Sequence, residues 1–329
     1  MIVPNYWAEA RRQYQKRTRE ERRQVTVRRF GWSDSSQAEA QAMAEQRAEE
    51  ALERILGGES LERREPRVPY NGADGVPIRE EILARHGDSV ITRNSYGAQC
   101  LNTPNVLFAD IDFDEHLGCL MNLVVFATIV AASISLGSSF GELGVGLVSF
   151  AVLLFLWPSV TRGLERIRNL LFGDAETRAR RRVAAWLQRH SDWRLATYRT
   201  PAGLRLLALH KLYSARSEEV SEFFAAIGAD PVYAQMCMAQ NCFRARLTAK
   251  PWRMGDAKQA RLRMGVWPVS EAMLPLRRAW VERYEQNAAA FASCHFEEII
   301  GSNCEDTTAR AVRELHDKCS RALTQYPLA

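Results

Sequence analysis

The chain has 329 residues, 47% of them hydrophobic and 25% charged, with a formal net charge of +5. That apolar fraction excludes a disordered or low-complexity chain and supports one large domain or two smaller ones. The mild basicity fits contact with phosphates or an anionic membrane surface. The seven cysteines lack a CxxC pair or finger spacing, which points to reduced thiols in a cytosolic compartment.

The opening residues, MIVPNYWAEARRQYQKR, have no apolar core ahead of their charges, so no cleavable signal peptide is expected. Residues 1–65 read as a charged, largely helical region. SQAEAQAMAEQRAEEALERILGG opens with a capping box, Ser36 with Glu39, and stops at Gly57 and Gly58. The Arg-rich segment from Arg11 to Arg29 could meet nucleic acid or lipid head groups, or form a solvated helix face interrupted by Glu. PRVPYNGADGVP is a turn-rich linker.

From Ser89 the period changes. SVITRN, AQCLN and NVLFADIDF read as three short strands with turns at SYG and TP. Two apolar stretches follow, Leu117 to Leu136 and Leu143 to Val160, joined by GSSFGE. At roughly 1.5 Å per residue they reach about 30 Å and 27 Å, near the hydrocarbon thickness of a bilayer. Arg162, Arg166 and Arg168 come next, and Lys and Arg favour the cytoplasmic side. Residues 117–160 are therefore expected to form a transmembrane helical hairpin in a bacterial-type inner membrane, with both termini cytoplasmic. A buried hairpin in a soluble protein is the other reading.

After the hairpin, AETRARRRVAAWLQRH reads as a helix, then WRLATYRT and LRLLALHK as two strands joined by PAG. SEEVSEFFAAIGAD is a helix from Ser217 to Gly228, PVYAQMCMAQ a second short one, and CFRARLTAK a strand. From Asn105 the order is strand, helix, strand, strand, helix, strand. That is the βαββαβ pattern of a ferredoxin-like sheet, so the fold class is α+β with added helices. The domain comprises residues 66–116 and 161–255, with the Asp110 strand expected beside WRLATYRT or FRARLTAK. Residues 256–329 read as a helical C-terminal region.

Three constellations carry possible chemistry. In LFADID, Asp110 and Asp112 alternate onto one strand face about 7 Å apart, joined by Asp114 if the strand continues. Two carboxylates so spaced can hold Mg2+ or Mn2+, which orients phosphate oxygens; solvated acids at a strand end are the plainer account. In YRTPAGLRLLALHK, the strand and its ends present Arg199, Arg205, His210 and Lys211. Arg205 lies in an apolar strand and needs an anionic partner, either a substrate phosphate or the carboxylate of Asp110 or Asp112. In DPVYAQMCMAQNCFRARLTAKPWR, Asp230 precedes a helix, and Arg244 and Arg246 share one strand face, with Lys250 and Arg253 following. Same-face arginines interleaved with Phe243 and Trp252 suit nucleotide or single-strand contact, or a surface rim. The adjacent His316 and Asp317 read as ordinary helix residues, and Cys294, Cys304 and Cys319 as core or surface thiols.

This order resembles the catalytic palm of archaeo-eukaryotic primases and prim-pols over roughly residues 105–250, interrupted by the hairpin. VLFADID resembles the family's hhhDhD metal strand, which implies metal-binding and catalytic roles for Asp110 and Asp112. RTPAGLRLL sits where the family's His motif belongs, with Arg205 in place of the His. Asp230 stands for the later acid, and FRARLTAK for the family's Arg and Lys segment, implying phosphate contacts from Arg205, Arg244, Arg246 and Lys250. The expected function is binding of a divalent cation and a nucleotide or nucleic-acid phosphate by a membrane-anchored palm-like domain, primase- or polymerase-like. The alternative is a non-catalytic membrane-tethered scaffold that keeps only the fold.

Overall fold

The computed structural model describes residues 1–17, 22–65, 77–113, 118–255 and 266–329. The chain opens with two long antiparallel strands, β1 (Tyr6–Arg17) and β2 (Arg22–Ser33), and then α1 (Gln37–Leu56). The helix predicted from Ser36 is present, with the Ser36 side chain accepting from the Glu39 amide. The helical reading of the residues before it is corrected: they form a two-stranded ribbon. Ala8 and Ala10 of β1, with Val25 and Val27 of β2, are buried against Ala40, Ala44 and Ala48 of α1. This alternation is weak in sequence because the strand charges are also good helix formers. The small residues let helix and ribbon approach closely; a Cβ on Gly31 would lie 2.2 Å from the Ala40 carbonyl oxygen.

Two four-stranded antiparallel sheets make the body. The first has order β3 (Glu81–His86), β4 (Ser89–Arg93), β5 (Gln99–Thr103), β9 (Phe243–Arg246). The second has order β10 (His295–Gly301), β7 (Arg194–Thr200), β8 (Gly203–Ala208), β6 (Phe108–Asp112). The mixed α+β class with antiparallel sheets is thus present. The expected neighbours of β6 are corrected: it pairs with β8 alone, at a sheet edge, while β9 pairs with β5. An ion pair holds β9 there. Arg244 donates to both oxygens of buried Glu80, at 2.9 and 2.8 Å, and to Asn102 Oδ1 on β5 at 3.0 Å.

The C-terminal region is also corrected, since it contains β10 as well as α7 (Leu274–Ala288) and α8 (Thr307–Ser320). A register shift between Phe296 and Glu298 breaks the two-residue period of HFEEIIG, which conceals the strand in sequence.

On the second sheet, Ala109, Ile111, Leu204 and Leu206 face α4 (Ala175–Arg189), whose Val183 and Trp186 are buried in the same core. The opposite face carries Phe108, Asp110, Arg205 and Tyr198, and α8 covers it through His316. α5 (Glu218–Ile227) runs from Ser217 to a left-handed Gly228, as expected, and is followed by α6 (Pro231–Gln240).

Between β6 and α4 the chain forms α2 (Cys119–Phe140) and α3 (Leu143–Phe172), both long and apolar enough to cross a membrane. Leu143 and Phe155 are more than four-fifths exposed, and α3 buries none of its residues. The helices cross at Gly137 and Gly146, where a Cβ on Gly137 would lie 3.1 Å from Gly146 Cα.

Candidate functional site

Asp110 and Arg205 face each other across the β6–β8 register. Arg205 grips the carboxylate with two bonds, Nε to Oδ1 at 2.8 Å and Nη2 to Oδ2 at 3.0 Å. Its Nη1 donates to the Arg246 carbonyl at 2.9 Å and lies 3.3 Å from His316 Nε2. His316 in turn holds Asp317 through Nδ1 at 3.0 Å. The guanidinium is buried, and the carboxylate keeps one edge open. Burial raises the Asp110 pKa, but Arg205 more than reverses this and leaves it below the ordinary carboxylate value. Of the three partners the sequence allowed Arg205 (a substrate phosphate, Asp110 or Asp112), the geometry pairs it with Asp110.

Asp112, two residues along the same face, is exposed at the end of β6. Its pKa is raised, first by partial burial and then by Asp230 and Asp110. Asp230 caps α6, accepting from the Val232 amide at 2.9 Å, and its own amide donates to the Asp110 carbonyl at 3.0 Å. The three acids predicted from sequence therefore converge. Asp114 and Glu115 lie outside the described residues.

The edges of β6 and β9 leave a seam between the sheets. Tyr233 spans it, donating to the Phe108 carbonyl at 3.0 Å while accepting from the Arg244 amide at 3.4 Å. Beside it opens a cavity of about 290 Å3 lined by Glu80, Tyr96, Asp110, Tyr233, Arg244 and Arg246, among others. Arg244 is committed to Glu80 and Asn102. Arg246 differs, because its Nε is buried with no hydrogen-bond partner. Lys250 and Arg253 stand on the same side, and Arg253 Nη1 is also buried without a partner. The pKa of Lys250 is lowered by burial first and then by Arg246 and Arg253, with Asp112 opposing. Arg253 is lowered in the same way, by burial and then by Arg246. The corner thus holds a local excess of positive charge.

Among the described residues, the carboxylates expected to hold a divalent cation are partly committed to other partners. Both Asp110 oxygens are taken by Arg205, and one Asp230 oxygen caps a helix. Among the described residues no group of three or more His, Cys, Asp or Glu side chains is placed to hold a metal ion.

Other sequence candidates lie apart from this corner. Arg199 pairs with Glu176 and Glu297, and Lys211 with Glu219 at 2.9 Å. His210 accepts from the Arg194 amide and meets the Tyr213 hydroxyl at 2.6 Å. Sequence reasoning missed the roles of Glu80, Tyr96, Tyr233 and His316. For His316 the adjacent HD was a signal, but it marked only a helix; nothing in IREEI singles out Glu80. No family model, no curated protein and no solved structure matches this chain.

Proposed function

We propose that the protein is a membrane-tethered α+β protein whose inter-sheet cavity binds the phosphate group of a nucleotide or a nucleic acid. The observation that carries this reading is the Arg246, Lys250 and Arg253 corner, where two guanidinium nitrogens are buried without partners beside a cavity. A phosphate supplies several acceptor oxygens and a negative charge, which matches that deficit. Tyr96 offers an aromatic wall, with Trp252 packed edge-on against it at 5.2 Å. Asp110 and Arg205 form the rigid floor. The reading includes no metal step, because Asp110 is already neutralised by Arg205.

The palm-like part of the proposal draws support from strand order. β7, β8 and β6 lie side by side in the sequence that strands two, three and one take in a ferredoxin-like sheet, with β9 across the seam.

The test is titration of the detergent-solubilised protein with a nucleoside triphosphate and with pyrophosphate. Arg246→Gln should weaken binding by about 10- to 100-fold, the worth of one charge-assisted hydrogen bond at roughly 1.5–3 kcal/mol. Binding equal in parent and variant, or absent in both at millimolar ligand, would sink the proposal. The second reading, a scaffold without ligand, is favoured by the closed Asp110–Arg205 and Glu80–Arg244 pairs and would then stand.

The tether is α2 with α3. A two-helix hairpin would return the chain to the side it left, and the positive charge of Arg162, Arg166 and Arg168 supports a cytoplasmic assignment for that side. Reporter fusions at each terminus of the protein in a bacterial inner membrane should both read cytoplasmic. A periplasmic signal at either end, or full solubility without detergent, would overturn this topology.

A further inference from the structure

The N-terminal ribbon separates its charges by face. Even-numbered residues of β1 point to α1, where Arg12 pairs with Glu45 at 3.5 Å and Glu49 at 3.1 Å. The acids of α1 therefore neutralise that face. On the opposite face Arg11, Gln13, Gln15 and Arg17 follow one another, all exposed. The register sets Gln24 opposite Gln15 and Thr26 opposite Gln13. It also sets Arg11 opposite Arg28. Like charges directly opposite each other in a strand pair are destabilising. Arg28 is relieved by Glu9 at 3.8 Å and by the Glu65 carbonyl at 3.1 Å. Arg11 and Arg17 have no acidic partner among the described residues.

We infer that this face of the β1–β2 ribbon binds double-stranded DNA. Charge complementarity favours a polyanion, because an outside partner can supply the negative charge that the described residues do not set against Arg11 and Arg17. The shape favours a duplex, since a two-stranded ribbon fits the major groove, about 12 Å wide. Arg11 and Arg17 are six residues apart, about 20 Å along the strand, so they reach phosphates on either side of the groove. The glutamines and Thr26 between them are side chains that hydrogen-bond base edges. A bilayer surface fits less well. The large apolar side chains exposed on the ribbon are confined to its base, at Tyr6, and no apolar anchor lies between Arg11 and Arg17. The inference is independent of the cavity, which has its own cations and probe.

The test uses the full chain in neutral detergent and a labelled random duplex of about two helical turns, roughly 20 base pairs. The parent should bind with a strong salt dependence. The double variant Arg11→Gln with Arg17→Gln should bind more than about tenfold more weakly, and the slope of log affinity against log salt should fall by about 2, near 0.9 for each lost phosphate contact. Arg12→Gln, on the α1 face, should change the slope by much less. Both arginines are exposed strand residues, so an unchanged thermal midpoint is expected and confirms folding. Arg246→Gln should weaken nucleoside triphosphate binding at the cavity while leaving the part of the salt slope that depends on Arg11 and Arg17 in place, which separates the two sites. Equal affinity and slope in parent and double variant overturn the inference. So does a ribbon-dependent interaction with short-chain anionic lipid and none with the duplex, which would assign the surface to a membrane.

Discussion

Arg205→Met is expected to destabilise the protein by about 3–5 kcal/mol, the usual consequence of removing one partner from a buried ion pair. The guanidinium is almost wholly buried, and it satisfies three groups at once: the Asp110 carboxylate, the Arg246 carbonyl and His316. Its loss strands a carboxylate under α8 and unties β8 from β9. The variant also has a pH signature. In the parent the Asp110 pKa is held below the ordinary carboxylate value, so the pair contributes stability above about pH 4 that is lost as pH falls through the native pKa. Without Arg205, burial is opposed only by the smaller effects of Arg246 and His316 and raises the Asp110 pKa relative to the parent, so the variant gains relative stability as the carboxyl protonates. The deficit between parent and variant should therefore be largest near neutral pH and should narrow under acid conditions. Asp110→Leu added to Arg205→Met should recover much of the loss, because an apolar pair of similar size is often neutral or better than the ion pair. Thermal midpoints across pH decide it; a single variant that melts like the parent at pH 7 would show that the pair is dispensable.

That pair also marks how far the sequence could be read. The strand LFADID, its two same-face acids and the need of Arg205 for an anion followed from periodicity and from the cost of burying a charge. The strands and short helices between Ser89 and Arg246 lie close to where the period places them. The hairpin helices cover the apolar runs, but α3 continues past the expected end at Val160 to Phe172, through the charged Arg162–Arg168 segment. What periodicity does not encode is which edges meet. β9 lies with β5 because of Glu80 and Asn102, residues 164 and 142 positions from Arg244 in sequence. The ribbon was hidden because its buried face is built of alanines and valines set among charged residues, and β10 because a bulge breaks its alternation. The unpartnered nitrogens of Arg246 and Arg253 have no sequence signal at all. They arise only where the two sheets meet.

Gly203→Ala should have the other large effect, and for a reason of space rather than charge. Gly203 opens β8 and pairs with Asp112 at the end of β6. A Cβ there would stand 1.9 Å from the Ile111 carbonyl oxygen, 2.9 Å from its carbon and 3.0 Å from Asp112 Cα. All three are backbone atoms, so no rotamer change relieves the overlap; β6 must move away from β8 by more than an ångström. The movement breaks ladder bonds within two residues of the Asp110–Arg205 pair and shifts Asp112 away from Lys250. Overpacking in a well-packed interior costs about 1–3 kcal/mol when side chains can adjust, and here they cannot, so about 3 kcal/mol or more is expected. For domains of this size that lowers the thermal midpoint by roughly 6–12 °C. Gly57→Ala is the control. Its Cβ would make only ordinary contacts at 3.4 Å, and its φ of −70° suits alanine, so it should melt within about 0.5 kcal/mol of the parent. If Gly203→Ala melts with that control, β6 and β8 do not approach as closely as described, and the acidic floor of the cavity is not rigid.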